Sequence, residues 1–131
     1  MNEILKFIKD AGIFYIATID GDKPRVRPFA FAMEYQGKLY FCTSNQKNVY
    51  KQLISNPWFE ASTMSKDGQW MRLQGKAIFD SNKEAKANAF EVQPGLEKIY
   101  NNPELFEVFY VEQGEATFYN MKGESRTIKL L

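Results

Sequence analysis

Two arginines in a short run of strand-forming residues are the side chains best suited to hold an anion. Arg25 and Arg27 are separated by one residue and are followed by Phe29. Side chains on a strand alternate between faces, so these three point the same way. Pro28 cannot donate a ladder hydrogen bond, which predicts an edge strand or an opening in the sheet. Such an opening could admit a flat anionic ligand; alternatively, both arginines are solvated beside a hairpin turn.

A second candidate anion site follows the next predicted strand. Thr43, Ser44, Lys47 and Asn48 lie where that strand leads into a predicted helix over residues 45–54. Hydroxyl groups and free backbone N–H groups at a helix N-terminus bind anions, and the helix dipole favours negative charge there. A lysine in the first turn opposes the dipole unless an anion is bound. The alternative is simple capping by Ser44 or Asn45.

The two segments together could bind a phosphomonoester. A tight hairpin between their strands would bring Arg27 close to the Thr43 loop. Arginine offers phosphate a planar pair of donors and lysine offers a point charge. A phosphomonoester carries nearly two negative charges at neutral pH, like phosphoserine, and such a set would match it.

Composition excludes several kinds of chemistry. The 131 residues include one cysteine and no histidine, with 17 basic and 16 acidic side chains giving a net charge of +1. This balance argues against a general nucleic-acid binder. Lack of histidine excludes Ser-His-Asp and Cys-His catalysis within the chain, and no metal site is predicted. We interpret Cys42 as a small packed residue. A single cysteine also fits a reducing compartment. Without a signal peptide or a membrane span, we expect a cytoplasmic protein with no membrane partner.

Turn signals and runs of β-branched and aromatic residues predict seven or eight strands. Helical spacing predicts two or three helices, at residues 2–9, 45–54 and 81–90, with a further short helical stretch at 96–100. A capping box of Ser81 and Glu84 opens the third helix. Antiparallel strands at regular spacing predict a mostly β fold, a closed or nearly closed barrel in one domain over residues 1–131. The predicted strands are residues 13–19, 25–35, 38–43, 58–64, 69–79, 106–111, 116–121 and 125–130.

Several segments, in order and spacing, resemble the FMN-binding core of the pyridoxamine-phosphate-oxidase-like split barrels. The resemblance spans nearly the whole chain and implies an antiparallel split β-barrel of six to eight strands with two or three peripheral helices. The segments that carry it are Arg25-Val-Arg-Pro-Phe29, Gly37-Lys-Leu-Tyr-Phe-Cys-Thr-Ser44, residues 47–53 with Asn56-Pro57, Gln69-Trp-Met-Arg-Leu-Gln-Gly-Lys-Ala77 and Ala116-Thr-Phe-Tyr119.

The resemblance also implies a cofactor and its ligands. The cofactor is FMN, bound at the subunit interface of a homodimer. In the family, the segment that matches residues 25–29 contacts both flavin and phosphate. The loop that matches Thr43-Ser44, with the basic start of the helix that follows it, binds the phosphate. The strand that matches Gly75-Lys-Ala77 lines the flavin from the partner subunit. The residues implied are, in that order, Arg25, Val26, Arg27, Pro28 and Phe29; Thr43, Ser44, Lys47 and Asn48; and Trp70 and Arg72, with Tyr119 as a further wall over the ring.

The resemblance implies an FMN-dependent oxidoreductase that transfers a hydride or electrons through the flavin. The family's true oxidases are longer and hold pyridoxal phosphate with further Arg, His and Tyr residues. This chain has no histidine, so we do not expect a true pyridoxamine phosphate oxidase. The substrate, the electron donor, a catalytic acid and the choice between FMN and a deazaflavin stay open. The alternatives are a non-catalytic flavin carrier, sensor or electron-transfer module, and a barrel that lost its cofactor; a haem variant is disfavoured.

Overall fold

The computed structural model describes residues 1–80 and 82–130, and one eight-stranded antiparallel sheet dominates it. Every pairing between neighbouring strands is antiparallel. The strands are β1 (Phe14–Asp20), β2 (Lys23–Phe29), β3 (Met33–Tyr35), β4 (Lys38–Ser44), β5 (Trp58–Met64), β6 (Trp70–Phe79), β7 (Phe106–Tyr119) and β8 (Ser125–Lys129).

The order of the strands leaves the sheet open. Hydrogen-bonded neighbours follow the order β2-β1-β5-β6-β7-β4-β3, and β8 pairs with β7 off this path. The strands β2 and β3 therefore form the two ends. The mostly β, antiparallel split-barrel fold is confirmed, and the edge position expected for Pro28 is confirmed with it, since β2 pairs only with β1.

Four helices accompany the sheet in the described residues, and the fourth is the further short helical stretch predicted at 96–100. They are α1 (Asn2–Ala11), α2 (Asn48–Ser55), α3 (Lys83–Val92) and α4 (Leu96–Ile99). The side chain of Asn82 caps α3, where its Oδ1 accepts a hydrogen bond from Ala85 N at 2.8 Å. Ser81, named in the expected capping box, lies outside the described residues. Within the described ranges, no helix is long and apolar enough to cross a membrane.

The predicted strand over residues 25–35 is wrong in one respect, because it is two strands. The strand β2 ends at Phe29, and β3 begins at Met33. Each pairs with a different neighbour, β2 with β1 and β3 with β4. The chain from β1 to β4 therefore forms two separate hairpins at opposite ends of the sheet, rather than the three strands predicted over residues 13–19, 25–35 and 38–43.

The two strands predicted around Gln113-Gly114 are one continuous strand, β7. Gln113 has a positive φ of 54°, and the pairing of β6 with β7 shifts register between Gln74 and Lys76. An extra residue accommodated in this way is a β-bulge, which bends a strand without ending it. The turn chemistry at these positions thus produces a bend rather than a hairpin.

Two hydrophobic clusters lie on opposite faces of β4. Phe41 belongs to the larger cluster, with its ring centroid 5.6 Å from that of Phe109. Tyr40 belongs to the smaller cluster, beneath α3 and α4, together with Phe106. All four side chains are at most 1% exposed. The strand β4 is therefore buried on both faces, and the segment that follows it is held between two packed layers.

The sheet is tightly packed where β6 and β7 bend. Gly75 lies in the register shift of β6, and a Cβ built there would be 2.7 Å from Val111 Cγ1 and 3.2 Å from the carbonyl oxygen of Glu112. It would also be 3.3 Å from the Cα of Gly114 on the neighbouring strand. Only glycine permits this approach of two backbones.

Replacing Gly75 by alanine is therefore expected to destabilise the fold. Gly75→Ala should lower the free energy of unfolding by about 1–3 kcal/mol, as overpacking in a filled interior does. Urea denaturation measures this change. Gly95→Ala is the matched control, because a Cβ there meets nothing within 4 Å and the residue is right-handed helical. Equal stability of the two variants would contradict the close approach.

Candidate functional site

A cleft of about 730 Å³ separates the β1–β2 hairpin from α2. Five of the predicted site residues line it: Arg25, Val26, Arg27, Lys47 and Asn48. Lys51 and Asp20 line it as well, so the wall carries four basic side chains and one carboxylate. This is an excess of positive charge in a chain whose total charge is only +1.

Arg27 holds the two sides of the cleft together through neutral partners. Its Nη1 donates to the carbonyl oxygen of Ile16 at 3.2 Å and to Thr18 Oγ1 at 2.8 Å, both on β1. Its Nη2 donates to Gln52 Oε1 on α2 at 2.7 Å. Thr18 donates to the same Gln52 oxygen at 2.6 Å. Because every one of these partners is uncharged, the guanidinium charge is fixed in place without being neutralised.

The surroundings of Arg27 also affect its protonation. The side chain is half-buried, and this desolvation lowers the pKa of the guanidinium. Arginine starts so far above neutral pH that it stays charged. Arg25 differs, since its Nε donates to Asp20 Oδ2 at 3.0 Å on the surface and the pair neutralises itself. Of the two arginines, Arg27 is therefore the better anion ligand.

Lys47 stands at the open start of α2. It occupies the position before the first helical residue, in an extended conformation, and no side chain caps the helix. The first turn contains no acidic residue. Within residues 1–80 and 82–130 no ion pair involves Lys47. The backbone N–H groups of the first turn and the lysine charge are thus both available to an anion.

The predicted boundary of this helix is wrong by three residues, and so is the alternative of simple capping. The helix begins at Asn48 instead of residue 45. Ser44 Oγ accepts from the backbone of Gln46 at 3.2 Å, before the helix, and the Asn45 amide donates to Glu104 O and Glu107 Oε2, both at 2.9 Å. These side chains fix the loop to β7 and its approach rather than cap α2.

A smaller slot of about 230 Å³ lies beside the cleft, toward α4. Arg27 and Lys47 line both spaces and so stand where they meet. The predicted site residues Pro28, Phe29 and Thr43 line the slot and are absent from the lining of the cleft. Its remaining walls are mostly apolar: Ala30, Phe31, Cys42, Val49, Leu96 and Ile99, with Gln93 and Tyr100.

Thr43, one of the residues that line this slot, carries an unusual buried polar atom. The residue is 1% exposed, and its Oγ1 is buried without a hydrogen-bond partner. Burying an unpaired hydroxyl costs free energy, so such groups need a reason to persist.

Cys42 is an unreactive neighbour in the same slot. Burial raises the pKa of its thiol to about 12, although a hydrogen bond from Tyr100 and the charge of Lys47 act in the opposite direction. Burial likewise raises the pKa of Tyr100 to about 12. Only the thiolate is nucleophilic, so Cys42 is inert near neutral pH.

The remaining predicted residues lie elsewhere in the chain. Trp70 and Tyr119 stack with ring centroids 4.1 Å apart, and Arg72 donates a hydrogen bond to the Tyr119 hydroxyl. That hydrogen bond is the main cause that raises the pKa of Arg72. None of the three lines the cleft or the slot, and Ser44 lines neither as well. A single chain therefore does not bring this cluster to the anion site.

Sequence reasoning missed three residues that shape the site: Thr18, Gln52 and Tyr100. A signal existed for Thr18, because it follows Phe14 and Ile16 at inward-facing positions of one strand, where a hydroxyl needs a partner. Gln52 lies one helical turn after Asn48, on the same side of α2. Tyr100 comes from a distant segment, and nothing local marks it.

An open eight-stranded antiparallel sheet with a basic cleft at one edge is the architecture of a split barrel. The family model of pyridoxamine 5'-phosphate oxidase matches residues 1–125, and the chain belongs to this family. No curated protein matches the sequence. Among solved structures, it is 45% identical to a NimC/NimA family protein from Clostridium acetobutylicum, with a TM-score of 0.94 over 99% of this chain and 92% of that one.

More distant solved structures share the fold. One is a protein of the same organism that is related to general stress protein 26 of the pyridoxinephosphate oxidase family, 13% identical, with a TM-score of 0.77 over 98% of this chain and 93% of the other. Another is a FAD-binding protein from Mesorhizobium loti, 14% identical, with a TM-score of 0.60 over 88% and 91% of the two chains.

Two threonines give opposite predictions for the same substitution. Thr43→Val removes an unpaired hydroxyl, so the free energy of unfolding without ligand should stay level or rise by up to about 1 kcal/mol. Thr18→Val removes a hydroxyl that bonds Arg27 and Gln52, and should lower it by about 1–3 kcal/mol. Chemical denaturation of both variants measures the difference. A clear loss of stability in Thr43→Val would mean that its hydroxyl has a partner within the protein.

Proposed function

We propose that this chain binds FMN in the cleft and acts as an FMN-dependent oxidoreductase of the pyridoxamine 5'-phosphate oxidase family. The observation that carries the proposal is the placement of Arg27 and Lys47. Both are basic, both line the cleft, and neither has a carboxylate partner among the described residues. Lys47 also stands at the open start of α2. Membership of the family supports the proposal, and so does the fold shared with a FAD-binding protein.

The residues present fit the phosphate of FMN. A terminal phosphate with nearly two negative charges matches one arginine, one lysine and the free N–H groups of a helix start. Arg27 is already held by Thr18 and Gln52, so its guanidinium loses little conformational freedom on binding. The cleft volume of about 730 Å³ lies within the roughly 300–1,000 Å³ usual for cofactor-sized ligands.

We further propose a homodimer in which the flavin ring lies at the subunit interface. Apolar residues cluster on the outer face of the sheet, where the exposed Ile13, Tyr15 and Met64 and the half-buried Trp70 line a shallow surface pocket. Exposed aromatic and methionine side chains are favoured at interfaces. A second copy could bring Trp70 and Arg72 to the ring, which one chain alone does not do. Interfaces are also preferred sites for ligands.

The chemistry of the reaction would come from the cofactor, since a bound flavin supplies hydride or electron transfer. The chain would bind and orient it. Arg27 and Lys47 would place positive charge at the phosphate end, and Phe29 and Phe31 would keep water from the slot beside it. No side chain in the cleft is assigned a proton transfer. If FMN binds but the protein does not catalyse oxidation of NADH or NADPH with any electron acceptor, the function would instead be that of a flavin carrier or electron-transfer module.

The phosphate assignment is tested by comparing FMN with riboflavin, which lacks the phosphate. Lys47→Met keeps the aliphatic stem and removes the charge, so FMN affinity should fall at least tenfold, about 1.4 kcal/mol. Riboflavin affinity should change less than about twofold on the same reasoning. Quenching of flavin fluorescence measures both.

The matched control for this variant is Lys6→Met, which removes an exposed lysine on α1 that pairs with Asp10. Its affinities for both ligands should equal those of the original chain. Equal losses for FMN and riboflavin in Lys47→Met would place the phosphate elsewhere. Failure of the unmodified protein to retain FMN through gel filtration would overturn the proposed function itself.

The dimer is tested by placing a charge on the outer face. Met64→Glu should convert the dimer to a monomer in light scattering and weaken FMN binding, because a buried unpaired carboxylate is costly. Val92→Glu, at an exposed apolar position on α3, is the control and should leave both properties unchanged. An unmodified protein that is monomeric and still holds FMN would contradict the interface.

A further inference from the structure

The basic side chains of the cleft form two pairs, and each pair takes one residue from β2 and one from the segment of α2. Arg27 on β2 and Lys47 at the start of α2 line both the cleft and the slot. Arg25 on β2 and Lys51 on α2 line the cleft alone. We call Arg27 and Lys47 the inner pair, and Arg25 and Lys51 the outer pair.

The distance from one pair to the next is similar on both elements. Arg25 and Arg27 are two residues apart on a strand, which corresponds to about 6.6 Å and places both side chains on one face. Lys47 and Lys51 are four residues apart, which corresponds to about 6 Å along a helix and to neighbouring side chains. The cleft therefore offers positive charge at two successive places.

The outer pair is available to an anion. Across the described part of the chain, Lys51 takes part in no ion pair. Arg25 bonds Asp20 through Nε, and a guanidinium has five N–H donors, so most of its donors remain. The Arg25 side chain is 51% exposed, so a ligand can reach it. Asp20 reduces the charge at this place to +1 without cancelling it.

One phosphomonoester does not balance the charge of the cleft. Four basic side chains and the carboxylate of Asp20 give the wall an excess of three positive charges. On the proposed function, the inner pair holds the FMN phosphate, which carries nearly two negative charges. About one positive charge is then left, and it lies at the outer pair.

The flavin of FMN lies away from the outer pair on the proposed function. The predicted flavin contacts Pro28 and Phe29 line the slot and not the cleft, so the cofactor extends from the inner pair toward the slot. Asp20, Gly21 and Ser55 line the cleft and not the slot. This end of the cleft is therefore free for a group beyond the FMN phosphate.

The carboxylate of Asp20 indicates which kind of phosphate compound fits this end. A carboxylate repels free phosphate, but it accepts hydrogen bonds from ribose hydroxyls, a pairing that dinucleotide-binding folds use. Asp20 uses Oδ2 for Arg25, and a carboxylate can accept more than that one bond. A phosphate attached to ribose therefore matches Asp20 and the outer pair together.

We propose that the outer pair is a subsite for a second phosphate, that of a nucleotide, which is either the adenylate half of a flavin dinucleotide or a separate nucleotide beside FMN. In a dinucleotide the two phosphates are linked, and one lies at each pair. The inference rests on the proposed function, because it assumes that the inner pair holds the FMN phosphate. It assigns Arg25 to the second phosphate instead of the first.

Two probes distinguish the sources of the second phosphate. FAD is equilibrated with the FMN-loaded protein, and chromatography identifies the flavin that is retained. FAD should be retained at least as well as FMN if the subsite takes the adenylate half. AMP is titrated into the protein saturated with FMN, with adenosine as the control that lacks a phosphate, and ligand-observed NMR measures binding. Tighter binding of AMP than of adenosine indicates a separate nucleotide.

Substitutions on α2 change the charge of the subsite. Lys51→Met should weaken binding of FAD or AMP about three- to fivefold, the value of a partly exposed ion pair, and leave FMN and adenosine within about twofold. Ser55→Lys adds a cation one helical turn after Lys51, at an exposed position in the cleft, and should strengthen the same binding about twofold. Lys9→Met, which removes an exposed lysine of α1 outside the cleft, is the control and should change neither.

The outcomes separate the inference from the function beneath it. A loss in Lys51→Met that is confined to FAD or to AMP supports the subsite and identifies its source. Equal losses of FMN and FAD would show that Lys51 serves the first phosphate, and unchanged affinities for FAD and AMP would show that the outer pair binds no phosphate. Either result overturns the inference and leaves the proposed function standing. If the unmodified protein retains neither FMN nor FAD, the proposed function itself is wrong.

Discussion

The site depends on one half-buried positive charge that the protein holds but does not neutralise. Arg27 donates to a β1 carbonyl, to Thr18 and to Gln52, and these bonds join an edge hairpin to a helix. A buried carboxylate beside the guanidinium would have made a more stable pair without ligand, but it would also have closed the site to anions. The neutral partners keep the side chain rigid and leave its field directed at the cleft.

Burial on both faces of β4 explains why the ligand spaces lie where they do. The chain leaves this strand between two hydrophobic layers, one around Phe41 and the other around Tyr40. The gap between β2 and β3 opens at the same place, because residues 30–32 pair with neither neighbour. Thr43 lies near the end of β4, between the two hydrophobic clusters, and its hydroxyl has no hydrogen-bond partner there. Its unpaired hydroxyl is a local loss of stability.

The alternation of residues along a strand predicted the side-chain directions on β2, because these depend only on neighbouring positions in the sequence. The common direction of Arg25, Arg27 and Phe29 follows from alternation, and the structure pairs them with inward-facing residues of β1. The break at residues 30–32 escaped prediction because Ala-Phe-Ala continues an apolar pattern. The start of α2 escaped it because Asn45 bonds residues some 60 positions away, a contact that no window of sequence contains. The roles predicted for the twelve site residues remain predictions, and the structure gathers eight of them around two neighbouring spaces, the cleft and the slot.

The edge of the sheet beside the cleft has few hydrogen-bond donors. Pro24, Val26 and Pro28 alternate along β2 and lie opposite Ile19, Ala17 and Tyr15. Proline has no N–H, so these are the non-hydrogen-bonded pairs, whose backbone groups point away from β1. Of three successive outward positions, only Val26 can therefore donate. An arriving strand would find carbonyl groups but almost no N–H groups, which protects a binding edge from accidental β-augmentation and from fibril growth.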